Sequence, residues 1–294
     1  MTTVDPSPPA SSSANSRIRR ILFFNAETKI GLVIVVAFVA MALIEGIGGY
    51  RILPYNPVGI NLNQAFLPPS LKHPFGTNSL GTDVFSMVIA GSPNDAMVSF
   101  IVVGVAFLVG GIVGSIAGYK SGWFDEALMR FTDIFFAVPA IILGITITIV
   151  LGPSPLNVAL ALVIIWWPSY ARLSRSEALK LSSMNFVESA RLSGVGTWRI
   201  VLRHVYRLAV PTLLVYATLD VGTIVLAYSG LAYLGLAVRP PHPDWGFMVA
   251  QYQQYIFRAP WLALIPAIVI VIVAAGFSLL GDGLREGLQR ETGR

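Results

Sequence analysis

The chain has 294 residues and a formal net charge of +5, from 20 Lys+Arg over 15 Asp+Glu. Hydrophobic residues make up 55% and charged residues 12%, roughly half the charged share of a soluble domain, and the mean hydropathy is +0.71. These values exclude intrinsic disorder and a collagen-like fibre and make lipid the solvent for much of the surface. The absence of cysteine excludes disulfides and thiolate metal sites or nucleophiles.

Residues 1–16 are rich in Ser, Pro, Thr and Ala without hydrophobic periodicity and read as a disordered tail. The whole segment 1–29 reads as an N-terminal tail. Its basic residues, Arg17, Arg19, Arg20 and Lys29, precede the first apolar run, so no signal peptide is expected. That run, 30–50, has the roughly 20 residues needed to cross a bilayer. Segment 51–95 holds Pro54, Pro57, Pro68, Pro69, Pro74 and Pro93, which predicts an irregular, extended connection.

Further spans are predicted at 96–119, 131–152 and 156–171. The apolar stretch 208–238, broken only by Asp220, is too long for one upright helix and too short for two. It reads as one span to Ser229, then an apolar segment 230–238 at the outer face or re-entering it. The last span is 261–281, giving six in a core of 96–287 that follows the first span, and then a tail at 288–294. The class is an all-α polytopic membrane protein.

The basic residues set the orientation. With the N-terminus inside, the outer segments hold only Arg51, Lys72, Arg239 and Arg258. The other sixteen basic residues fall on inner segments, seven of them in loop 172–207. Both termini are then cytoplasmic, in a cell membrane. The positive balance is a membrane-orientation signal and does not point to nucleic acid.

No catalytic, metal or cofactor site is expected. His73, His204 and His242 lie on different loops, and no pair has ligand spacing. There is no G-x-S-x-G, no HExxH and no Walker A. Acids in spans are expensive and mark function by default, and Glu45, Asp133, Asp220 and Asp282 are the candidates. Asp133 and Asp282 sit near span ends, where Arg130 and Arg285 offer partners. Asp220 lies deepest and either lines a path or ties two helices together. Gly110, Gly114 and Gly118 form a doubled GxxxG, read as a close helix-packing face.

In loop 172–207, Asn185 reads as an N-cap and Glu188 as the other half of a capping box. Gly194 suits the left-handed position that ends a helix. A two-turn helix, then a second from Trp198 into the fifth span, predicts a rigid cytoplasmic knob. The alternative is an amphipathic helix lying on the membrane surface.

Glu188-Ser189-Ala190 with Gly194 resembles the EAA loop of ABC importer permeases. His73-Pro74-Phe75-Gly76-Thr77, Leu80-Gly81, Asp83, Asp125-Glu126, Pro139, Asp244-Trp245-Gly246 and Gly281-Asp282-Gly283 continue the resemblance. They match the second, C-type permease of dipeptide and oligopeptide importers. Departures are Thr82 for Arg, Ser189 for Ala, and Arg207-Leu208 for Pro-Asn.

The resemblance implies a type I importer permease fold with six spans and a cytoplasmic coupling helix. It implies partners: a second homologous permease, two cytoplasmic ATPase subunits, an extracytoplasmic solute-binding protein and the lipid bilayer. ATP hydrolysis belongs to the ATPases, so the chain is not itself an enzyme. Phe186, Val187, Glu188, Ser189, Ala190, Arg191, Leu192 and Gly194 are then the ATPase-coupling residues. Asp244 and Trp245, with the Pro-rich outer segment, are expected to meet the binding protein. Peptides are the default substrate, with oligosaccharides and nickel chelates as alternatives. A stand-alone secondary transporter or channel is the reading of a different class, and it would need clustered midplane acids or inverted repeats.

Overall fold

The structure, a computed structural model, describes residues 25–291. The expectations for 1–24 and 292–294 lie outside the described residues. Among the described residues the fold is all-helical, with one isolated β-bridge between Thr77 and Asp83. The helices are α1 (Ala26–Gly48), α2 (Val84–Lys120), α3 (Trp123–Ala137), α4 (Ala140–Leu151), α5 (Pro155–Ser182), α6 (Asn185–Leu192), α7 (Thr197–Ile200), α8 (Arg207–Tyr233), α9 (Trp245–Tyr252) and α10 (Trp261–Glu291).

Five helical runs are long and apolar enough to cross a membrane: Ala26–Ile52, Val84–Lys120, Pro155–Ser182, Thr197–Tyr233 and Trp261–Arg290. The count reaches six only if α3 and α4 form one span, and they are bent by 84°. The predicted continuous helix over 131–152 is therefore corrected. Pro139 disfavours helical backbone at the residue before it, and Val138 is extended at φ −106°, ψ 133°.

The start of the second span is also corrected. Residues 84–95 are helical, not part of an irregular connection. Asp83 caps α2 by accepting from the Ser86 backbone N–H at 2.8 Å. Pro93 sits inside this helix and removes the N–H that would reach the Ile89 carbonyl. The Ser92 hydroxyl donates to that carbonyl instead, at 2.7 Å.

The remainder of the Pro-rich segment is irregular but closely tied down. His73 Nδ1 and Asp83 Oδ1 lie 2.8 Å apart, both residues buried, with the Tyr55 ring centroid 4.7 Å from the imidazole. The Asn78 side chain accepts from the Leu80 and Thr82 backbone N–H groups and donates to the Tyr252 hydroxyl at 2.8 Å. The HPFGT and LGTD residues thus fasten this segment onto α2 and α9.

The fifth span runs to Tyr233, four residues beyond the predicted Ser229. It ends in a Schellman motif: Gly235 takes φ +78°, its N–H reaches the Ala232 carbonyl, and Leu236 N–H reaches Leu231 O. Residues 234–238 lie outside the helix, and Ala237 and Val238 are buried within the protein.

The α2–α5 interface is central. Gly110, Gly114 and Gly118 lie against the backbone carbonyls of Trp167, Ala171 and Arg175, so both helices keep the same four-residue step. Ser174, on the same interface, donates to the Gly111 carbonyl at 2.6 Å and pairs with the Ser115 hydroxyl at 2.8 Å. The packing reading of the doubled GxxxG corresponds to this contact.

Candidate functional site

Helix α6 forms a knob at one end of the bundle, with all eight predicted coupling residues on it or on its cap. Its seat is Val187, fully buried in a cluster with Ala178, Ile200 and Val205. Tyr119, Leu181, Ala190 and Val195 pack around this cluster. Arg191 reaches back over the Tyr119 ring, 5.2 Å from its centroid. Ala190 therefore faces the chain's own interior. Its small size lets α6 lie close to its own support.

The predicted capping box is corrected. Asn185 is the first helical residue, Met184 occupies the N-cap position, and no side chain caps the N-terminus. Burial of Val187 sets the register, and packing overrides the cap preference of Asn185. Glu188 is left exposed, and no cap hydrogen bond is formed at this end.

The other end follows the expectation. Gly194 has φ +73°, its N–H reaches the Arg191 carbonyl at 3.1 Å, and Val195 N–H reaches the Ala190 carbonyl at 3.1 Å. Gly196 then caps α7, and a π-helical turn at Val201–Tyr206 joins α7 to α8 without a break. Movement of α6 is thereby linked to a span through continuous backbone.

The outward side of the knob carries large apolar side chains among exposed polar ones such as Glu188 and Ser189. Phe186 is 40% exposed, Leu192 84% and Trp198 63%, with Met184 also exposed. Large apolar side chains left in water beside a rigid helix mark an interaction site. Trp198 and Met184 were not singled out from sequence; the signal was a large apolar side chain on each flank of a short polar helix.

Two ion pairs brace this end. Arg175 donates to both carboxylate oxygens of Asp125, at 2.5 and 2.6 Å, and Arg172 pairs with Asp133. The Arg172 guanidinium also lies 3.9 Å from the Phe136 ring centroid. The partner of Asp133 is Arg172 of α5, not the predicted Arg130, so the pair ties two helices together. Asp282 is exposed.

Asp220 is buried in α8 beside Trp166 and Tyr170 of α5 and Tyr216 of its own helix. Its Oδ2 and the Tyr170 hydroxyl are buried without hydrogen-bond partners among the described residues.

Asp244 and Trp245 lie at the opposite end. Both are fully buried. The Trp245 indole N–H donates to the Val88 carbonyl at 2.7 Å, and Asp244 caps α9 by accepting from Phe247 N–H at 3.3 Å. The Tyr228 hydroxyl donates to Asp244 at 2.8 Å, and the Ser229 hydroxyl donates to the neighbouring Asp95 at 3.2 Å. Asp95 and Tyr228 were missed from sequence, since an acid after Pro93 reads as a loop residue. The Asp-Trp-Gly motif is thus an internal lock joining α9 to α2 and α8.

Residues 110–294 match the family model described as "Binding-protein-dependent transport system inner membrane component". The chain belongs to this family. It is a multi-pass membrane permease of the ABC importer class. Among relatives, it is 35% identical over 239 residues to a probable D,D-dipeptide transport system permease protein of Escherichia coli K12, covering 81% of this chain and 80% of the relative. It is 34% identical to the dipeptide transport system permease protein of Alkalihalophilus pseudofirmus, with 88% and 84% covered. It is 37% identical to the glutathione transport system permease protein of an Escherichia coli O6 strain, with 85% and 83% covered. An inward-facing structure of the MetNI methionine ABC transporter shares the fold of this permease. Its TM-score is 0.56 at 20% identity, over 68% of this chain and 96% of that one.

Proposed function

We propose that this permease pairs with a second homologous permease to form the path by which short peptides enter the cell. Two cytoplasmic ATPase subunits supply the driving force, and an extracytoplasmic binding protein delivers the substrate. The observation that carries the reading is α6: pinned internally by Val187, ended by Gly194, bearing exposed large apolar side chains, and joined through α7 to a span. A partner that moves this knob moves α8. Peptide as the substrate is supported by the relatives, whose names specify dipeptides and glutathione.

The excess of basic residues around α6 supports a cytoplasmic location for that end and for both termini. The chain has no cysteine, so single cysteines can report the topology directly. Ser193→Cys should react with an impermeant maleimide only in inside-out vesicles.

The full importer, reconstituted with binding protein and ATP, should accumulate labelled dipeptide. Accumulation by this chain alone, driven by an ion gradient, would replace this reading with that of a secondary transporter.

A further inference from the structure

At the end opposite α6, a cavity of about 630 Å³ opens between the end of α1, the early turns of α2, the turn between α4 and α5, and segment 237–243. Its walls are rich in proline and so are set in advance of any ligand. Its size falls in the roughly 300–1,000 Å³ range of small-molecule sites. The cavity was not legible in the sequence, because its walls come from four separate segments.

Two opposite charges line it without neutralising each other. Glu45 is only 7% exposed, yet its side chain has no hydrogen bond and no ion pair among the described residues. A carboxylate that opens onto the cavity without a partner of its own is available to the cationic end of a ligand. Arg239 lines the same cavity, is exposed, and likewise has no ion pair among the described residues. At the rim, the Tyr50 hydroxyl and His242 Nδ1 lie 3.2 Å apart, tying α1 to segment 237–243.

An anion and a cation held apart in one preformed cavity match a ligand with a cation at one end and an anion at the other. We infer that this cavity is a peptide subsite: Glu45 takes the free α-ammonium and Arg239 the free α-carboxylate. Charge-assisted hydrogen bonds at both ends select short zwitterionic peptides, while side chains of any kind remain in the open part of the cavity. The inference rests on the proposed function for its outer location and for its substrate class. It adds a recognition step on the permease itself.

The test uses the assembled importer in nanodiscs, without binding protein, carrying Asn94→Cys as a reporter. Asn94 lines the cavity, and the chain has no other cysteine. A free dipeptide should slow maleimide labelling of this cysteine. N-acetylated and C-amidated versions should protect about tenfold less well, the scale of one lost charge-assisted hydrogen bond. Glu45→Gln should abolish the preference for the free N-terminus and keep that for the free C-terminus. Arg239→Gln should do the reverse.

Equal labelling with and without peptide would overturn the subsite, as would end preferences unchanged in both variants. Protection by ligand-free binding protein but not by peptide would instead make the cavity a docking surface. Peptide uptake by the complete importer is measured in parallel. Normal uptake without these labelling effects sinks the subsite alone, whereas absence of peptide uptake sinks the proposed function.

Discussion

Gly114 of α2 presses against the backbone carbonyl of Ala171 in α5, and a β-carbon at Gly114 would overlap that oxygen. At Gly118, one turn on, the added atom would stand 2.6 Å from the Arg175 carbonyl. Lipid supplies no hydrophobic drive to hold these helices together, so close backbone packing carries much of the attraction.

Gly114→Leu should therefore separate the two helices. Overpacking costs about 1–3 kcal/mol when side chains can adjust, and here backbone must move, so the loss lies at or above the top of that range. Gly104, on the same helix, has no heavy atom within 4 Å of its added carbon. Gly104→Ala should be neutral or stabilising by up to about 1 kcal/mol. Thermal unfolding in detergent, followed by size exclusion, reads both. Equal melting of Gly114→Leu and the unmodified protein would remove this interface from the account.

Hydrophobic run length located every spanning run, because lipid imposes one requirement on all of them. Errors fell where local chemistry competes with packing. Pro93 was read as a loop residue, yet Ser92 replaces the missing backbone bond and the helix continues through it. Pro139 was passed over inside an apolar run, although its effect on Val138 bends the chain. Asn185 has an N-cap side chain, but the burial of Val187 moves the cap to Met184. Gly194 was legible because no neighbour competes for its conformation. The burial of Trp245 was not legible, because a tryptophan in a Pro-rich segment reads equally well as interfacial or as a buried lock.

The two sides of α6 should separate stability from docking. Val187→Ala removes buried methyl groups at a cost of about 2 kcal/mol, enough to loosen the knob locally. Hydrogen exchange across residues 185–195 should accelerate, with ATPase association falling as a consequence. Leu192→Ala alters a side chain that is 84% exposed and should change stability by less than about 0.5 kcal/mol. It should nonetheless weaken ATPase association by about fivefold or more, the lower bound for an interface anchor. Unaltered association of Leu192→Ala would take the outward face out of the interface.

The lock at the other end should respond to pH. Burial pushes the Asp244 carboxyl from the ordinary 3.8 up to about 6, against hydrogen bonds from Tyr228 and from the backbone N–H groups of Phe247 and Gly246. A carboxyl raised on folding favours the folded state while it is protonated. Its contribution is complete below about pH 3.8 and is lost as pH rises through about 6. The groups facing it are Asp95 from α2 and Tyr228 from α8, beside its own neighbour Trp245. Asp244→Asn keeps a good capping residue and removes the titration. Between about pH 4 and pH 7, the melting temperature of the unmodified protein should fall relative to that of Asp244→Asn. Parallel melting curves across this window would show that Asp244 is not the titrating group.

Gly194 offers the strictest test of coupling, because its cost is conformational alone. It sits at φ +73°, and an added β-carbon would meet nothing within 4 Å. A substitution there cannot clash, so its effect comes from forcing an L-residue into the left-handed region, at about 1–2 kcal/mol. That energy acts on a two-turn helix held by one buried valine and no N-terminal side-chain cap. It should shift the angle between α6 and α7 without disturbing the spans. Gly194→Glu should therefore insert normally and pair with the second permease, while uptake is lost and ATPase association weakens. Asparagine tolerates the left-handed region better than other non-glycine residues, so Gly194→Asn should retain a measurable fraction of uptake. This order, glycine above asparagine above glutamate, distinguishes backbone geometry from simple loss of a small residue. Transport by Gly194→Glu at the unmodified rate would show that the knob does not couple the ATPase to α8.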